Sequence, residues 1–139
     1  MEIGHFLDGK GEQGKWYVLP SMKGKPKAVE ILIRCPKPSR TRELRSEATI
    51  VVNENGHKTK QVDEDKIYEL IRDECIVDWK NIDHDGKPFP CNTENKKILD
   101  ENWNEFNLYW NKVYVEMRKG ELELLDIDVK NLLTGLGST

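Results

Sequence analysis

The sequence predicts an α+β fold: a small antiparallel β-sheet from the first third, packed against about three helices, the last two long and amphipathic. Three observations predict it. Lys15–Leu19 and Ala28–Cys35 are short apolar runs, the second rich in β-branched residues, and turn chemistry (Ser21–Lys27) separates them. Apolar residues from Leu99 onward recur at alternating spacings of four and three. Between these regions Asp63 begins a pattern in which Ile67, Leu70, Ile71 and Cys75 share one helical face.

The strands are bounded by residues that stop them. Pro20 ends the first run and Pro36 closes the second, so a hairpin is the expected arrangement. Residues 37–60 are mixed. Ser39–Glu47 suits a charged helix, Thr49–Val52 favours a strand, and Asn55-Gly56 signals a turn. The expectation is a helix that runs into this segment and frays near Asn53. The Asp63 carboxylate suits an N-cap, with Glu64 and Asp65 placed well against the helix dipole. Ile76, Val77 and Trp79 lead into a turn over 83–90, where Gly86, Pro88 and Pro90 forbid continued helix.

Asn92 or Thr93 starts the next helix, and neither Gly nor Pro interrupts the chain before Gly120. Leu99, Trp103, Phe106, Trp110, Val113 and Met117 form a narrow seam along it. Leu122, Leu125, Val129, Leu132 and Leu136 repeat the rhythm, giving two antiparallel helices joined near Gly120. Residues 1–14 and 134–139 read as flexible ends of one domain spanning 1–139.

Composition bounds the function. With 139 residues, 37% hydrophobic and 34% charged, the chain can bury one core. Without a membrane-length apolar run or a secretory pattern at its start, it is expected in the cytoplasm, with no membrane partner. Cys35, Cys75 and Cys91 are odd in number and widely spaced, and read as thiols with at least one in the core. Residues 1–60 carry 12 Lys/Arg against 7 Asp/Glu, a net of +5, and residues 61–139 carry 10 against 18, a net of −8. This asymmetry suits either a charged partner or attraction between the halves. The basic half has no aromatic-studded cluster, so nucleic acid is not an expected partner.

Sites for chemistry fare poorly. Asn81, Asp83, Asp85 and Gly86 imitate the start of a calcium loop, but its twelfth position is Asn92 and two prolines interrupt it. Trp79, Asp83, Asp85, Gly86, Pro88 and Pro90 read instead as a structural turn. The potential ligands Cys35, Cys75, Cys91, His5, His57 and His84 lack paired metal-site spacing, and no nucleophile motif or P-loop is present. The expectation is a non-catalytic protein with no metal and no cofactor. Leu108, Tyr109, Tyr114 and Val115 lie off the aromatic seam, so a second apolar face is left for a partner.

The stretch 76–99, through Val77, Trp79, Ile82, Asp83, Gly86, Pro88, Phe89, Pro90, Thr93, Glu94, Asn95 and Leu99, resembles phage and prophage tail-assembly chaperone-type proteins. The upstream order of a Trp-containing strand, Ile31–Arg34, a charged middle and an acidic helix also fits. This resemblance implies a protein of the bacterial host cell that binds the tape-measure protein and tail-tube subunits and keeps them soluble. Trp103, Phe106, Tyr109, Trp110 and Tyr114 are then the expected protein-binding residues. A virion component that oligomerises in the particle, such as a head–tail or tail-completion subunit, is the alternative, and a homo-oligomer fits either reading.

Overall fold

The computed structural model describes residues 13–137, and side chains within 13–120. The fold is α+β, as the sequence predicts. Strands β1 (Lys15–Val18), β2 (Glu30–Ile33) and β5 (Ile76–Lys80) form an antiparallel sheet with β2 in the middle. The register aligns Tyr17, Ile31 and Trp79 across its inner face and Trp16, Leu32 and Asp78 across its outer face. Ile31 and Ile33 are therefore completely buried, whereas Trp16 is partly exposed under the Lys80 ammonium, 4.0 Å from its ring centre.

Helix α1 (Pro38–Glu47) opens on a proline, whose fixed φ suits the first turn. It ends before β-branched Thr49–Val52, and the Thr49 hydroxyl donates to the Arg45 carbonyl at 2.8 Å. The expected helix through Asn53 is thus corrected. The chain instead enters strand β3 (Thr49–Glu54), turns at Asn55-Gly56 and returns as β4 (His57–Val62). Both turn residues have positive φ, as a two-residue hairpin of matching twist requires.

Asp63 caps α2 (Glu64–Cys75) by accepting from the backbone of Asp65 and Lys66. Ile67 and Cys75 are buried on the expected face. Beyond β5, strands β6 (Asp83–His84) and β7 (Lys87–Pro88) make a small hairpin around Asp85-Gly86, again with both φ positive. Asn92 caps α3 (Thr93–Asn102) through Asn95, also as expected.

The division of the last helices differs from expectation. The chain breaks at Trp103 (φ −121°, ψ 98°), and α4 runs without interruption from Asn104 to Gly137. The expected pair of long helices is therefore a ten-residue helix followed by a 34-residue one, and Gly120 lies inside the latter. Helix continues as far as Gly137, and of the ends read as flexible, 1–14 and 134–139, residues 1–12 and 138–139 fall outside the described residues.

Phe106, Trp110, Val113 and Tyr114 of α4 pack on Ile31, Ile33, Ile76 and Trp79 to make the main core. Leu44, Ala48 and Ile67 make a second cluster under the β3–β4 arm, and Ile71 packs against both. Gly120 has nothing within 4 Å of an added Cβ. Gly120→Ala should therefore raise stability and helicity by about 0.5–1 kcal/mol, read by thermal melting and circular dichroism at 222 nm. Destabilisation would instead indicate a turn at 120.

Candidate functional site

The most concentrated chemistry lies where α2, α3 and α4 meet. Asp100 and Arg72 are both buried, their side chains 3% and 5% exposed, and are joined at 3.0 Å. One Asp100 oxygen accepts from Tyr68 Oη (2.8 Å) and Arg72 Nη1. The other accepts from Asn107 Nδ2 (2.8 Å) and Trp110 Nε1 (2.7 Å). Asn107 and Asn111 in turn donate to Tyr68 Oη. Burial pushes the Asp100 carboxyl up, but the bonds from Trp110, Asn107, Arg72 and Tyr68 outweigh it and hold the group below the ordinary carboxylate range. A shallow groove of about 530 Å³ overlies the network, reaching Asp65, Glu69 and Glu101 at its rim. Four donors already occupy the carboxylate, so its role is to hold three helices together.

Neighbouring ties repeat the pattern. Asp73 accepts from Thr93 Oγ1 (2.7 Å) and from Lys96 Nζ (3.2 Å), joining α2 to the start of α3. Glu74 takes Arg34 at 2.8 Å and Arg40 at 2.7 Å. Those two pairs join the basic first half to the acidic second half, so part of the charge asymmetry is satisfied within the fold.

The predicted turn is built as expected. Trp79 stacks on Phe89 with ring centres 6.0 Å apart and planes 10° from parallel, and its Nε1 donates to the Phe89 carbonyl at 2.6 Å. The Phe89 amide donates to Ile82, and Asn95 Nδ2 donates to the Pro90 carbonyl. Asp83, Asp85, Gly86 and Pro88 form the hairpin beside this stack, with Asp85 also 3.3 Å from the His84 imidazole. Asn81 donates to the Ala28 carbonyl, which uses the first position of the calcium-like pattern structurally.

Three of the five expected protein-binding residues require correction. Phe106, Trp110 and Tyr114 are 0%, 1% and 8% exposed, so they belong to the core and present no surface to a partner. Trp103 and Tyr109 are half-buried, Trp103 stacked on Phe106 and Tyr109 edge-on to Tyr17. The outer face of α4 carries Leu108 and Val115 instead, 68% and 59% exposed.

A second surface was not anticipated. Thr49, Val51 and Asn53 share one face of the β3–β4 arm with Lys58, Lys60 and Val62. Arg42, Arg45 and Ser46 of α1 border this face around an open concavity of about 530 Å³. Val51 is 64% exposed at its centre, and Arg42, Arg45, Lys58 and Lys60 are all exposed cations. Arg42 and Arg45 stand three apart on α1, a spacing visible in the sequence. The helix reading of 37–60 concealed the strand that places Lys60 opposite Val51.

Among the described residues no group of three or more His, Cys, Asp or Glu side chains is placed to hold a metal, and His5 lies outside them. The three cysteines are thiols, Cys35 and Cys75 in the core. Burial pushes the Cys75 thiol up, and the Cys91 thiol up to about 11. No described helix is long and apolar enough to cross a membrane. The fold and its surfaces define an α+β protein with an ionic helix junction and an apolar, cation-rimmed arm. Compared with protein families, curated proteins and solved structures, the chain matches none.

Asp100→Asn should destabilise the fold by about 3–5 kcal/mol in urea titrations, because Arg72 is left buried without its counter-charge. The depressed folded-state pKa fixes the sign of the acid response. The contribution of Asp100 is fully present above the unfolded value near 3.9 and lost as pH falls through the folded value. The wild type should therefore lose more stability between pH 7 and pH 3 than Asp100→Asn does.

Proposed function

We propose that this chain is a phage or prophage tail-assembly protein that binds tail structural proteins, the tape-measure or tail-tube polypeptides, without performing chemistry on them. The observation that carries this reading is the arm surface. Val51 stands exposed among Arg42, Arg45, Lys58 and Lys60, with Ile50 also exposed on the opposite face. An apolar centre ringed by cations suits an acidic amphipathic segment: burial of the centre supplies affinity, and the ring supplies attraction and register. Each arm strand pairs only with the other among the described residues, so the outer edges are open to an added strand.

The resemblance over 76–99 supports the biological setting. Its residues here build the Trp79–Phe89 stack, the Asp85-Gly86 turn and the Asn92 cap. These fix where α3 begins. Under this reading the module holds the body together, while the arm meets the partner.

Co-expression with the tape-measure and tail-tube proteins of the same genome tests the proposal. The wild-type chain should raise the soluble yield of at least one and co-purify with it. Val51→Asp, or Arg45→Glu with Lys60→Glu, should reduce co-purification by about tenfold or more with an unchanged melting temperature. Failure of the wild type to retain either protein, or salt-sensitive capture of DNA by these same cations, would overturn it. Mass spectrometry of finished particles should find the chain absent, whereas a stoichiometric presence indicates a virion component.

A further inference from the structure

The two edges of the β3–β4 arm are unequal. The Asp63 amide donates to the Ala48 carbonyl at 2.8 Å, so the ladder bonds of this antiparallel pair continue at Ile50/Gln61, Val52/Thr59 and Glu54/His57. The residues between them turn their amides and carbonyls outward: Thr49, Val51 and Asn53 on β3, and Lys58, Lys60 and Val62 on β4. Two of the three on β4 are lysines, the side chains that guard a strand edge against further pairing. On β3 none of the three is charged, and Thr49 and Val51 are β-branched. β3 is therefore the receptive edge.

Charge says what that edge receives. Arg40 takes both carboxylates of α1, Glu43 at 2.9 Å and Glu47 at 3.7 Å, and Glu74 as well. Arg42, Arg45, Lys58 and Lys60 are left without a carboxylate among the described residues, exposed on or beside the face that Val51 centres. The opposite face carries Ile50, 46% exposed, and Val52. A strand laid along β3 sends alternate side chains to these two faces, so carboxylates meet the cations while apolar groups meet Ile50 and Val52. A helix laid there would cover the outward amides without bonding them. β3 of a second copy would gather both sets of cations on one face. Nucleic acid would satisfy the cations and leave the aliphatic face bare.

We infer that the arm takes up an extended segment in which acidic and apolar residues alternate, added as a strand to the outer edge of β3. The inference rests on the arm being the surface that meets a partner. It specifies that partner's chemistry: a period of two, with the carboxylates on one side.

The probe is a labelled peptide of about seven residues, alternating glutamate and valine, titrated into the full chain by fluorescence anisotropy and amide hydrogen exchange. Binding should slow exchange at Val51 and Asn53 by about tenfold or more and leave the ladder-bonded Ile50 and Val52 amides as they were. Val51→Pro removes an outward donor that the ladder does not use, and should weaken the peptide by about tenfold at an unchanged melting temperature. Val51→Thr keeps the amide and the branching and should bind as the wild type does. Should Val51→Pro melt early, Asn53→Pro repeats the test nearer the tip, and the exchange measurement needs no variant. Absence of peptide binding, binding without protection of Val51 and Asn53, or equal binding of the same residues reordered to helical spacing would overturn the inference. So would equal binding of a lysine–valine peptide, or protection that grows with protein concentration alone. Tail proteins that co-purify with Val51→Pro as well as with the wild type would overturn the strand mode and leave the proposed function standing. A wild type that gains the peptide-induced protection but retains no tail protein would do the reverse.

Discussion

A single buried carboxylate sets the geometry of the helical layer. Asp100 is one of the costliest side chains to remove from water, and it is tolerated because donors from two other helices converge on it. That convergence explains the break at Trp103. On a straight helix Asn107 and Trp110 would rise about 10 Å and 15 Å beyond Asp100, past the reach of its side chain. Turning the chain at Trp103 folds the first turns of α4 back over Asp100, so one carboxylate receives Arg72 and Tyr68 from one side and Asn107 and Trp110 from the other. The same turn stacks Trp103 on Phe106 and presents Phe106 edge-on to Trp79. The apolar core and the polar junction thus require the same bend. At the edge of this layer, Glu105 holds the Pro20–Met22 turn by accepting from the amide and hydroxyl of Ser21.

The sequence was most legible where local chemistry decides the structure. Asp63 and Asn92 cap the helices they precede, Asn55-Gly56 and Asp85-Gly86 turn hairpins, and Pro20 and Pro36 bound the first two strands. Each of these outcomes is settled within a few residues. Legibility failed where a distant partner decides. Around Trp103 the local signal is slight, the Asn102 amide donating to the Ile98 carbonyl at 2.8 Å, and the bend also serves a carboxylate bonded across three helices. Gly120 is a weak helix former but no obstacle when flanked by long-chain residues, so a glycine alone was a poor terminator. Over 37–60 the competing propensities were both present, and β3 prevailed because Thr49–Val52 could pair with a strand beyond the Asn-Gly turn.

The candidate surfaces were less legible for a related reason. Aromatic size suggested the α4 binding residues, but large rings are what a sheet packed against one helix needs most, and Phe106 and Trp110 fill that need. The smaller aliphatic residues left outside, Leu108, Val115 and Val51, attract little notice in a sequence. Charge was legible in sum and not in distribution. Glu74 absorbs Arg34 and Arg40, whereas Arg42 and Arg45, on the same basic stretch, face outward beside the arm.

The arm's construction bears on how its length can change. Thr49 and Val62 sit opposite each other at its root, and every residue from 53 to 60 is exposed. Adding or deleting two residues on each strand preserves which side chains share a face, and it touches neither hydrophobic cluster. The projection can therefore lengthen or shorten in steps of roughly 7 Å, set by strand rise, over an unaltered body. Diversity of reach comes at little structural risk.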